Sequence, residues 1–134
     1  MSKVDKERPH LYNLNQDPQL SKRIFYSIDN ETTKIGKRGT EPMNDIELGG
    51  MAIRNLHAII NKNEEGLIFI EPIYGEEEDS NCYLNGDPIT EKIEIKNCDR
   101  LTFATNNMFV VQIPDGETRE DVDNKTLDWD FAQN

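Results

Sequence analysis

The side chains able to do chemistry are unevenly placed along this chain. Residues 1–40 hold 8 Lys and Arg against 5 Asp and Glu, a net of +3, while the rest hold 7 against 21, a net of −14. The total of −11 repels a nucleic-acid backbone and excludes DNA and RNA as partners. Screening limits the reach of distant acids to roughly 10 Å, so a basic patch in the first third can still hold one anionic group. Other chemistries find no support. His10 and His57 lack companions at metal-ligand spacing, and Cys82 and Cys98 are too far apart for a zinc knuckle. No Ser-His-acid order or nucleophile elbow occurs. Acids are so plentiful that a carboxylate pair carries no information, and the run Glu76-Glu77-Glu78-Asp79 reads as a solvated loop. No metal, cofactor or catalytic residue is expected.

The elements that must carry the basic patch are short strands. At 134 residues and 35% hydrophobic content, the chain suffices for one domain with a real core. It has no apolar run long enough for a membrane span, and its first residues lack the apolar core of a signal peptide. The two cysteines read as buried thiols of an intracellular protein, which points to the cytoplasm. Pro9–Leu20 is read as an extended piece ending in a turn at Asp17-Pro18. Strands are predicted at 24–28, 32–35, 45–48, 57–61, 67–71, 82–84, 92–96, 99–103 and 108–113. Asn63-Glu64-Glu65-Gly66 closes a hairpin, and Asn85-Gly86 is the strongest short turn signal. Leu67–Glu71 is apolar on both faces and is expected to lie centrally. Lys92–Lys96 alternates polar out, apolar in. About ten strands at this spacing predict an all-β sandwich. Residues 115–125 read as a linker, and Thr126–Gln133 as the start of a helix capped by Asp128, with Leu127 and Phe131 four apart.

Three stretches carry a resemblance. Gly36-Lys37, Leu48 through His57, and Leu84-Asn85-Gly86 are spaced like the three loops at one end of a forkhead-associated (FHA) domain. The flanks Pro9–Pro18 and Asp128–Gln133 are similar to the segments before and after the FHA domain of third-family, vesicle-transport kinesins. The resemblance implies an FHA-type β-sandwich of about eleven mostly antiparallel strands over residues 21–114. Residues 1–20 would be a leader from the motor side, and 115–134 an acidic linker and the start of a coiled coil. It also implies a parent motor that hydrolyses ATP, binds microtubules and carries vesicle cargo. The motor's phosphate-binding loop is absent from this chain, so the fragment itself would be no enzyme.

The resemblance further implies a phosphothreonine-peptide site formed by Lys37, Arg38, Arg54, Asn55 and Asn85. Asn85 matches the Asn that contacts the peptide backbone. Gly36, His57 and Gly86 would hold the loops in shape. The chain departs from the family at two positions. Lys37 stands where the family has Arg and cannot make its planar bidentate contact. Arg54 stands where the family has a phosphate-binding Ser. These departures leave open an alternative: a structural or regulatory module that docks on segments of its own kinesin without binding phosphate.

Overall fold

The computed structural model describes residues 8–14, 25–105, 107–114, 116 and 118. Among them there is no helix. The elements are β1 (His10–Leu14), β2 (Phe25–Ser27), β3 (Thr32–Lys37), β4 (Ile46–Leu48), β5 (Ala58–Lys62), β6 (Ile68–Pro72), β7 (Cys82–Leu84), β8 (Asp87–Pro88), β9 (Ile93–Ile95), β10 (Arg100–Phe103) and β11 (Asn107–Gln112). They form two sheets, ordered β2-β1-β11-β10-β7-β8 and β4-β3-β5-β6-β9. All pairs are antiparallel except β3 with β4. The two inner faces enclose a core that includes Leu11, Ile35, Ile60, Ile70, Phe103 and Val111, each fully buried.

Period-2 patterning accounts for most of this. In β3, Thr33 and Ile35 point inward while Thr32 and Lys34 are exposed. Interior strand β6 buries Ile68 and Ile70 and leaves Phe69 half-buried on the outer face under the Lys92 ammonium, 5.5 Å from the ring centre. Strand β9 departs from strict alternation. Ile95 is buried, but Ile93 is exposed because β9 is the sheet's edge and lacks a neighbour to cover it.

Two assignments from the sequence need correction. The sandwich takes in His10–Leu14, which was assigned to the leader: β1 lies between β2 and β11, and Leu11 is wholly buried. The segment is extended because it completes a ladder, with the carbonyl of Pro9 also accepting from the Ile28 N–H at 3.0 Å. The second is β8, a two-residue strand after the Asn85-Gly86 turn, which was too short to be read as a strand. The helix start expected at 126–133 lies outside the described residues.

Alternating connections decide which loops share an end. The β3–β4, β4–β5, β6–β7 and β10–β11 connections gather at one rim. The β2–β3, β5–β6, β7–β8 and β9–β10 connections lie at the other.

Candidate functional site

The rim is built from backbone outward. Strands β3 and β4 run parallel, so residues 38–45 must fold back along β3. The Arg38 N–H donates to the Leu48 carbonyl at 3.1 Å. Asn44 is nearly buried, and its Nδ2 donates to the carbonyls of Lys37 (3.1 Å) and Asn55 (2.7 Å) and to Thr40 Oγ1 (3.3 Å). One amide thus fastens the crossover loop to both β3 and the β4–β5 loop. Gly36 permits this closeness. A Cβ there would collide with the Asn55 carbonyl and lie 2.6 Å from Asn44 Nδ2. Close approach, rather than a sharp loop, is why this position is glycine.

A chain of hydrogen bonds ties three loops together. The Lys37 N–H donates to the Arg54 carbonyl (3.0 Å), the Arg54 N–H to His57 Nδ1 (3.2 Å), and His57 Nε2 to the Asn81 carbonyl (3.0 Å). Because Nδ1 faces an N–H donor it must accept, so the imidazole is neutral with its proton on Nε2. Burial holds the His57 pKa below the ordinary histidine value, the Asn81 hydrogen bond opposes this, and the Arg54 charge adds to it. The ring is fully buried and packs edge-on against Phe103 at 5.9 Å.

Arg54 is half-buried, with its guanidinium directed at backbone carbonyls. Its Nε donates to the Ile73 carbonyl (2.7 Å), Nη1 to Asp79 (3.1 Å), and Nη2 to Ser80 (2.6 Å) and His57 (3.4 Å). The guanidinium also lies 5.9 Å from the Tyr74 ring centre. Three backbone carbonyls of the β6–β7 loop, those of Ile73, Asp79 and Ser80, are satisfied by this one cation, which also reaches the His57 carbonyl. The geometry makes Arg54, expected from the sequence as a phosphate ligand, a clamp of the β6–β7 loop.

Lys37, Arg38 and Asn55 are exposed and line one cleft of about 520 Å³, with Lys34, Thr40 and Glu41 among its other walls. Asn85 is not among them. It follows β7, so it sits at the opposite end of the sandwich. Its Nδ2 donates to Asp99 Oδ1 (3.0 Å) and its Oδ1 accepts from the Arg100 N–H (2.9 Å). Asn85 and Gly86 both have positive φ, 52° and 90°, and turn β7 into β8. The amide that the fold does place at the rim is Asn81, at φ 51°, whose carbonyl also accepts from the Ala104 N–H at 2.7 Å. Loops before and after one strand lie at opposite ends; that rule, applied to Cys82–Leu84, separates Asn81 from Asn85 in the sequence itself.

A family model described as the FHA domain matches residues 33–104, more than half of the chain. The chain is an FHA domain. Such a domain is a binding module rather than a catalyst. This FHA domain is 30% identical over 139 residues to the kinesin-like protein KIF1B of Rattus norvegicus, covering 96% of this chain and 7% of that protein. It is 37% identical over 109 residues to human kinesin-like protein KIF14, covering 81% of this chain and 6% of that protein. The chain therefore spans less than a tenth of either relative. Among solved structures, the yeast Dun1 FHA domain in complex with a doubly phosphorylated peptide shares its fold, with a TM-score of 0.58 and 22% identity, over 84% of this chain and 80% of that one.

Proposed function

We propose that this FHA domain binds phosphothreonine-containing peptides at the rim formed by the β3–β4, β4–β5 and β6–β7 loops. The observation that carries the reading is the cleft holding Lys37, Arg38 and Asn55, whose exposed side chains make no hydrogen bond to one another or to the other described residues. A phosphothreonine brings nearly two negative charges and three acceptor oxygens. Lys37 and Arg38 supply charge and Asn55 a neutral donor, while Asn81 offers an amide to the peptide backbone from the facing loop. Arg54 and His57 hold that loop in place. The similarity to solved FHA domains bound to phosphorylated peptides supports the ligand class. The similarity to KIF1B and KIF14 supports a kinesin-like parent; we read that parent as a cytoplasmic, microtubule-associated motor with vesicle cargo, in which this domain is a non-catalytic interaction module.

Fluorescence titration with matched phosphothreonine and threonine peptide libraries tests this. The phosphorylated forms should bind preferentially, and Lys37→Ala should weaken them about tenfold, the worth of one charge-assisted hydrogen bond. Equal binding of both forms sinks the proposal. One observation favours a second reading. The position where a hydroxyl ligand is expected holds Arg54, turned inward, which suits a docking module that contacts its own kinesin without phosphate. Equal binding of the two peptide forms is what that reading expects.

A further inference from the structure

Lys34 is a cation of the cleft that one phosphate leaves over. It lines the same 520 Å³ space as Lys37 and Arg38 but lies within β3, opposite Ile59 of β5 on the exposed face. Three residues of strand put its backbone about 10 Å from that of Lys37. Among the described residues, no carboxylate lies within ion-pair distance of Lys34, Lys37 or Arg38. The neighbouring acids are committed to backbone instead. Asp45 Oδ2 accepts from the Lys34 N–H at 2.8 Å, and Glu47 Oε2 from the Gly39 N–H at 2.9 Å. Glu41 is the acid among the residues that line the cleft. On another part of the rim, the β6–β7 loop exposes Glu76, Glu77, Glu78 and Asp79. The rim is therefore divided: among the described residues Lys34, Lys37 and Arg38 have no carboxylate at ion-pair distance, while the β6–β7 loop presents four acids in a row.

Resting on the phosphothreonine reading, we propose that the preferred ligand carries a second anionic residue within a few positions of the phosphothreonine, on the flank that runs down β3 toward Lys34. Asp, Glu and a second phosphorylated residue share the required chemistry. An acidic residue on the other flank meets the acidic loop and gains nothing. Lys34 is thus a specificity-determining residue, while Lys37 and Arg38 hold the phosphate.

The test uses the full chain and phosphothreonine peptides of one length. The flanks are neutral, acidic on the N-terminal side, or acidic on the C-terminal side, and one further peptide carries phosphoserine in place of the favoured acid. Acidic residues on one flank should tighten binding about three- to fivefold, the worth of one partly exposed charge pair, with phosphoserine at least matching them. Lys34→Ala should remove that gain, so that acidic-flank and neutral-flank peptides bind alike, and Lys34→Glu should turn the preference toward basic flanks. The thermal midpoint of each variant confirms folding. Binding of the neutral-flank peptide with no gain from either flank overturns this inference and leaves the phosphothreonine reading standing. So does a gain that survives Lys34→Ala. Equal affinity for phosphorylated and unphosphorylated peptides overturns both.

Discussion

The two ends of the sandwich contain similar residues used in opposite ways. Each end has an asparagine in the left-handed region, Asn81 at φ 51° and Asn85 at φ 52°, beside polar and charged neighbours. At the far end the polar groups answer one another: Asn85 bonds Asp99 and Arg100, and Asp99 accepts in turn from the Lys96 N–H at 2.7 Å. At the rim an inner layer, Arg54, His57 and Asn44, does the same work, and an outer layer, Lys37, Arg38 and Asn55, is left for solvent. A polar loop residue becomes available to a ligand only when another residue has already satisfied the loop. Arg54 is what releases its neighbours.

Variants can break this contrast. The largest effect is expected for Gly36→Ala, whose methyl group meets the Asn55 carbonyl, itself held by Asn44. A loss of about 3 kcal/mol in urea unfolding is expected, and wild-type stability would show that the inner layer yields easily. Arg54→Ala leaves the carbonyls of Ile73, Asp79 and Ser80 without their donor and should cost about 2 kcal/mol. Hydrogen exchange should rise across residues 73–81. If Arg54→Ala instead keeps its stability and loses only phosphopeptide affinity, the side chain is a ligand after all. Asn85→Ala should cost about 1 kcal/mol without altering affinity for a phosphothreonine peptide; a loss of affinity would join the two ends functionally.

Two titrations sharpen the same contrast. His57 is neutral when folded, with its pKa held below the unfolded value of about 6.5. Stability is therefore fully present above that value and falls as pH drops through it toward the folded pKa. Thermal midpoints between pH 7.5 and 5 should decline for wild type and flatten in a His57→Gln variant. Cys82 is buried, with its thiol pushed up to about 12, whereas Cys98 is exposed. Native protein at pH 8 should take up one equivalent of iodoacetamide, at Cys98, and a second after denaturation. Two equivalents in the native state would place the Cys82 end of β7 outside the rigid inner layer.

The sandwich was legible because nine of its strands announce themselves by alternation and turn residues. Ile68 and Ile70 against Phe69, or Thr33 and Ile35 against Lys34, need no tertiary information. His10–Leu14 was harder, since a strand added across the chain from residue 112 has no local turn to mark it. The site was half legible. Lys37, Arg38 and Asn55 do share a cleft, but a spacing pattern cannot tell which loop residue faces inward. Arg54 looks like its cationic neighbours in sequence. Only the position of three carbonyls, 19 to 26 residues away in sequence, turns it into a clamp. Asn85 was misplaced for a simpler reason, since the strand Cys82–Leu84 intervenes between it and the rim.

Strand β1 has a mechanical consequence. His10 pairs with Gln112, so the start of β1 and the end of β11 meet at one corner of the sandwich, on neighbouring strands about 5 Å apart. Tension applied between His10 and Gln112 would peel this ladder open one rung at a time from that corner, rather than loading all its rungs together. Such a ladder yields at that corner well before the opposite end, where Lys37, Arg38 and Asn55 lie, is disturbed.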